Sequence, residues 1–156
     1  MLVWVAISED GIALPFIYES SIAIDANRYI NKFLKPKLVK FINSKYKEDE
    51  YVFWPDLASA HYAKKTIDVL KANNIVFVDK HENPPNVPQA RPIETFWANV
   101  CSKVYQGGWQ AKTKLQLIRK IKKVLREFDP NELQDLMKGI RAKLRKIADK
   151  GPYSIF

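Results

Sequence analysis

Cysteine is nearly absent: Cys101 stands alone in 156 residues, so no intrachain disulfide and no cysteine-only metal centre can form. The sequence also lacks any run of about 18 apolar residues that would span a bilayer. No basic segment precedes its apolar start, and Glu9 and Asp10 soon follow Ile7, which is not the layout of a secretory signal. These absences argue against a membrane-bound or secreted protein and favour a reducing compartment, nucleus before cytoplasm. Internal repeats and low-complexity tracts are missing too. What remains, 47% apolar residues with four Trp and eight Phe, is enough for one core and too little for two comfortable ones.

Charge is the uneven quantity. Residues 1–100 hold 12 basic and 12 acidic side chains, whereas residues 101–156 hold 14 basic and 5 acidic, so the whole excess of +9 falls in the last third. A cationic segment of this kind neutralises phosphates and releases counterions, giving salt-dependent nucleic-acid binding. A pair of solvated amphipathic helices has the same composition, and charge by itself does not separate the two.

Along the chain, residues 2–7 and 12–18 are short apolar runs on either side of Ser8-Glu9-Asp10-Gly11, where Asp-Gly is a tight-turn signal; this predicts a β-hairpin. Pro15 inside the second run removes a backbone donor and places that strand at a sheet edge. Asp25 is a candidate cap for a helix over 26–43, which Pro36 is expected to kink or split. Glu48-Asp49-Glu50 marks a loop, and Tyr51-Val52-Phe53-Trp54, stopped by Pro55, reads as a short strand that leaves Asp56 just past its C-terminal end. A helix over 59–72 and a strand over 75–78 complete a strand–helix–strand unit, which implies parallel pairing with a right-handed crossover. The proline-rich loop from Asn83 to Arg91 leads into Pro92, a first-turn helix proline, with Glu94 in that first turn and the helix running to Val104.

Two helices follow Gly107-Gly108. The first carries Leu117, Ile118, Ile121, Val124, Leu125 and Phe128 among Arg119, Lys120, Lys122, Lys123 and Arg126. The second opens with Asp129-Pro130-Asn131-Glu132 as cap, first-turn proline and third-position acid, continues through Leu133, Leu136, Met137, Ile140, Leu144 and Ile147, and stops at Gly151-Pro152.

Asp56 and Glu94, each near a helix start after a strand, are expected to face the same end of the sheet, where α/β proteins usually build their sites. Carboxylates on rigid elements suit hard divalent cations, which take oxygen ligands and retain waters. In two-metal phosphoryl transfer one ion activates the attacking oxygen and the other stabilises the leaving one. Spacing alone is unspecific, because a helix-capping Asp and a first-turn Glu are ordinary structural residues.

The wording around the two acids is more specific. Trp54-Pro55-Asp56-Leu57-Ala58-Ser59-Ala60-His61 resembles the second-aspartate motif of mariner-like transposases, with Ala two positions and His five positions after the Asp. Pro88-Gln89-Ala90-Arg91-Pro92-Ile93-Glu94-Thr95-Phe96-Trp97 is similar to that family's third-carboxylate motif, although Arg91 stands where Asn is often found. Thirty-seven residues separate the two acids, within the family's range, and Val3-Trp4-Val5-Ala6-Ile7-Ser8 with Gly11 is similar as well. The resemblance covers residues 1–106 and implies an α/β, ribonuclease-H-like fold, three acidic ligands for Mg²⁺ or Mn²⁺, and DNA strand cleavage and transfer. Asp56 and Glu94 match the second and third ligands. Nothing aligns with the first aspartate, and Asp10, set by its turn, is a poor substitute. The expectation is an incomplete fold whose first and central strand is missing, residues 1–106 forming a partial catalytic domain and residues 107–156 a basic helical extension packed on it.

His61 is a candidate accessory base or ligand, against the commoner role of a structural histidine on an apolar helix face; His81 is a weaker one. Trp54, Phe96 and Trp97 read as core more than as base-stacking residues, and Trp109 as the most exposed aromatic. Arg119, Lys120, Lys122, Lys123 and Arg126 are the candidate phosphate contacts. The expected function is that of a transposase-derived, DNA-binding endonuclease fragment, inactive by itself and with no membrane partner, its other partner being a second copy of the chain or a fuller transposase. The alternative is a repurposed DNA-binding or protein-interaction module that uses its basic helices and no metal.

Overall fold

The computed structural model describes residues 1–19, 23–47, 50–85, 87–151 and 154. Glu48-Asp49 of the expected loop, Asn86 of the proline-rich stretch and the helix-stopping Pro152 lie outside the described residues. The chain divides into two compact units, Met1–Val5 with Phe16–Pro85, and Ala6–Pro15 with Asn86–Phe156.

In the first unit, β1 (Leu2–Trp4) pairs antiparallel with β4 (Phe16–Tyr18), Leu2 opposite Tyr18. The second unit holds the turn end of the same sequence: β2 (Ile7–Ser8) pairs with β3 (Gly11–Ile12), Ile7 opposite Ile12, and Ala13 N–H donates to Ala6 O at 2.8 Å. Gly11 has φ +140°, which a side chain would oppose. The expected hairpin is therefore present as two short ladders. One residue, Val5, joins Trp4 to Ala6, while two, Leu14 and Pro15, join Ala13 to Phe16. The extra residue sits where proline leaves no ladder bond to lose.

Next in the first unit comes helical chain from 26 to 45. Asp25 caps α1 (Ala26–Tyr29) by accepting from Arg28 N–H at 2.8 Å. The middle, Ile30–Val39, is π-helical around Pro36, and α2 (Lys40–Lys45) closes the run. The expected disruption at Pro36 takes the form of a π-helical segment that divides the run, one way of absorbing a proline's missing donor and ring. Tyr29, Ile30, Phe33, Leu34, Leu38, Val39 and Ile42 bury the inner face.

The two parallel strands shrink to one bridge: Phe53 pairs with Phe77, Phe53 N–H donating to Val76 O at 2.9 Å and Val78 N–H to Phe53 O at 3.0 Å. Between them, α3 spans Lys64–Ala72 and not 59–72. Residues 59–63 are drawn into turns because side chains compete for their backbone: Thr66 Oγ1 donates to Ala60 O at 2.7 Å, and Ala58, whose N–H is taken by Asp56, accepts from His61 N–H at 3.0 Å.

In the second unit, a 3₁₀ turn (Pro88–Ala90) leads into α4 (Pro92–Val104), which starts on Pro92 as expected. Beside α4 pack α5 (Lys114–Arg126) and α6 (Pro130–Lys138). Phe96, Val100, Val104, Ile118, Val124, Leu125, Phe128 and Leu133 form this unit's core, with Phe96 and Phe128 ring centroids 4.8 Å apart. Thr113 caps α5 through Gln116 N–H at 3.2 Å, and Asp129 caps α6 through Asn131 N–H at 2.9 Å. Glu132 does not return to that cap. It accepts from Asn99 Nδ2 at 2.7 Å and pairs with Lys103 Nζ at 2.8 Å, tying α6 to α4. The single last helix expected from residue 130 onward is broken at Gly139, after which α7 (Ile140–Lys150) buries none of its residues and leaves Leu144 exposed. No described helix is long and apolar enough to cross a membrane.

Candidate metal-ligand and phosphate-binding residues

Asp56 lies in the first unit, three residues beyond the parallel bridge, and its position is fixed from both sides. Its own carboxylate folds back on the chain, Oδ1 accepting from Ala58 N–H at 2.7 Å. His61 Nδ1 lies 2.7 Å from the same oxygen and 3.3 Å from Asp56 O. The histidine is not on a helix face as expected but in the turn ahead of α3, its ring centroid 4.3 Å from that of Tyr29. Burial first, then the negative charge of Asp56, hold the Tyr29 phenol far above the usual tyrosine range, and the Trp4 side chain opposes them.

The residue sequence reasoning missed is Asn83. It is 3% exposed and joins the segment before Asp56 to the loop after the bridge. Trp54 Nε1 donates to its Oδ1 at 2.8 Å, and its Nδ2 donates to Pro55 O at 2.9 Å and to Tyr62 Oη at 2.7 Å. Tyr62 in turn donates to Val78 O at 3.1 Å. An Asn beside Pro-Pro reads in sequence as a turn former, and no local pattern reveals partners 21 to 29 positions away. Asn83→Ala removes the acceptor of the half-buried Trp54 indole N–H and the donor to the buried Pro55 carbonyl, so a loss of about 2 to 3 kcal/mol is expected by urea unfolding. Less than about 0.5 kcal/mol would mean that water replaces the amide without penalty.

Glu94 lies in the second unit, exposed in the first turn of α4, its N–H donating to Arg91 O at 3.1 Å. Its approach is fixed by Pro88–Ala90, where Ala90 is buried, and by Pro92 at the first helical position. A carboxylate there also complements the helix dipole.

The five basic candidates occupy α5 unequally. Arg119, Lys122, Lys123 and Arg126 are exposed and recur at helical spacing, which places them on one face opposite buried Ile118, Val124 and Leu125. Lys123 Nζ stands 4.0 Å from Glu127 Oε2, a weak exposed pair. Lys120 is half-buried and reaches back over Trp109, its Nζ 5.6 Å from the ring centroid. Trp109 is accordingly half-buried, and Tyr105 is the more exposed aromatic at 52%. Phe96 is core as expected, Trp54 and Trp97 are half-buried, and His81 is exposed in a turn.

Oxygen donors such as Asp56 and Glu94 suit a hard cation that keeps several waters and completes its shell with phosphate. Among the described residues no three His, Cys, Asp or Glu side chains gather into a closed metal cage. By donor chemistry each carboxylate suits a water-rich Mg²⁺ or Mn²⁺ ion better than an all-protein site.

The chain matches no protein-family model and no curated protein sequence. Among solved structures it is similar to the catalytic domain of Mos1 mariner transposase, with a TM-score of 0.78 and 15% identity over 97% of this chain and 74% of that one. The same catalytic domain with raltegravir and Mn gives 0.77 at 14% identity, covering 96% and 74%. A Mos1 paired-end complex with the left transposon end gives 0.79 at 13% identity, covering 99% of this chain and 44% of that one. At such identities the likeness establishes the fold: a mixed helix and sheet architecture of the transposase catalytic domain, ribonuclease-H-like type.

Proposed function

We propose that this chain, with the fold of a mariner transposase catalytic domain, is part of a transposase-derived DNA-processing protein that binds DNA and is by itself insufficient to cleave it. The observation that carries this reading is Asp56, the residue matching the second-ligand motif, exposed just past a parallel bridge in a chain of that fold. Glu94, matching the third-ligand motif, is exposed at a helix start. The Mos1 structures with Mn and with Mg are consistent with divalent metal use, and the Mos1 complex with a transposon end is consistent with DNA as partner. Such a role belongs in the nucleus.

When bound, a pair of divalent ions would supply activation of the attacking oxygen by one and stabilisation of the leaving oxygen by the other. Asp56 in the first unit and Glu94 in the second would each serve as an oxygen donor to such an ion, while Arg119, Lys122, Lys123 and Arg126 on α5 would anchor phosphates. Two carboxylates leave the preorganisation of a three-ligand site incomplete.

Plasmid incubated with the purified chain and Mn²⁺ is expected to be retained on gels without being nicked. Nicking abolished separately by Asp56→Ala and Glu94→Ala would overturn the insufficiency and reveal a third ligand. One observation favours a second reading, a DNA-binding module that uses no metal: the cationic face of α5 is complete, whereas no closed metal cage exists among the described residues. Retention that survives chelation and both carboxylate substitutions supports it.

A further inference from the structure

We propose that His61 is a positioning residue for Asp56, gripping one carboxylate oxygen through Nδ1 so that the carboxylate is presented to a divalent cation in one orientation. The inference rests on the reading of Asp56 as a metal ligand and adds the device that aims it. An exposed aspartate turns freely about its last side-chain torsion, and a carboxylate that must be ordered on binding gives up affinity for the ordering. Asp56 is 63% exposed, yet Oδ1 meets both Ala58 N–H and His61 Nδ1 at 2.7 Å.

The grip runs in one direction. The histidine side chain is 12% exposed and lies against Tyr29, which is 2% exposed and stacks on Phe33 at 5.9 Å and 22°. The less exposed ring, held against Tyr29, is thus the fixed member and the exposed carboxylate the one that is steered. Two lone pairs do not approach to 2.7 Å without repulsion, so the contact places a ring proton on Nδ1. Partners of this kind around metal-binding carboxylates typically contribute 10- to 100-fold in metal affinity.

The test uses the whole chain and reads Mn²⁺ binding by the electron-spin resonance signal of the free ion. His61→Leu is expected to weaken Mn²⁺ binding about 10- to 100-fold. His61→Asn sets an amide N–H where Nδ1 was and is expected to recover most of that loss; His61→Gln sets its amide near the Nε2 position and is expected to recover little. A histidine that only fills space against Tyr29 would make the Asn and Gln variants alike, which overturns the proposal. Nitrogen-15 spectra of the metal-free chain supply a second readout: a proton on Nδ1 of His61 is expected, and its loss in Asp56→Ala, whereas an unprotonated Nδ1 in the intact chain overturns the proposal. Intact binding in His61→Leu with binding lost in Asp56→Ala overturns the role of His61 and leaves that of Asp56 standing. Binding absent from the intact chain, or indifferent to Asp56→Ala, overturns the reading of Asp56 and the proposal with it.

Discussion

Phe33→Ala is expected to destabilise the first unit by about 3 to 5 kcal/mol, the range for emptying a fully buried aromatic site. Phe33 is 1% exposed, and its ring is surrounded by others: Phe16 at 5.1 Å and 82°, Trp4 at 5.9 Å, Tyr29 at 5.9 Å and Tyr18 at 6.3 Å. Phe16 and Tyr18 come from β4, Trp4 from β1 and Tyr29 from α1, so one side chain joins a three-residue strand pair to the helical run. Strands this short have little stability of their own. Removing the ring leaves a cavity that four rigid aromatics close poorly, and each edge-to-face or stacked pair adds about 0.5 to 1.5 kcal/mol beyond area burial. Urea unfolding measures the loss, and near-ultraviolet circular dichroism reports whether the aromatic cluster stays ordered. A loss under about 1.5 kcal/mol, with the aromatic signal intact, would show that the cluster collapses around the gap and that Phe33 is not its centre. Because Tyr29 backs His61, the same variant is expected to loosen the His61–Asp56 contact.

Those residues also show how far the sequence could be read. Asp25 was visible as a cap and Pro92 as a helix start, because each depends on neighbours within one turn. Asp56 and Glu94 were found by their surrounding words, and the structure places both exposed, Glu94 at a helix start and Asp56 just past the parallel bridge. The turn form of residues 59–63 was not legible, since Asp56, His61 and Thr66 redirect backbone bonds that helical periodicity assumes are free. The π-helical turn at Pro36 was not legible either: a proline announces a lost bond, and the packing of Phe33, Leu34 and Leu38 decides how the chain absorbs it. Asn83 lay beyond reach because its partners are distant in sequence, and the break at Gly139 because an apolar stripe reads the same through one helix or two.

Neutralising the exposed face of α5, with Arg119, Lys122, Lys123 and Arg126 all changed to glutamine, is expected to remove about four units of phosphate contact. Each contact contributes about 0.9 to the slope of log affinity against log salt. Between 50 and 200 mM salt the intact chain is then expected to lose about 100-fold more DNA affinity than the variant does. Glutamine is a good helix former, and all four positions are exposed, so α5 is expected to persist, as far-ultraviolet circular dichroism would verify. Net charge by itself would weaken binding too, and the control separates it. Lys32, Lys35, Lys40 and Lys45 are exposed in the first unit, and changing those four to glutamine lowers the formal charge from +9 to +5 as well. If α5 carries the contacts, the α5 variant loses the salt slope and the control retains most of it. Equal losses would mean that DNA responds to overall charge and that the spacing of cations on α5 has no part in holding it. Lys120 supplies an internal check. Because its ammonium lies over Trp109, Lys120→Gln is expected to change the slope by less than any of the other four, and its effect is expected to appear mainly in the packing of Trp109.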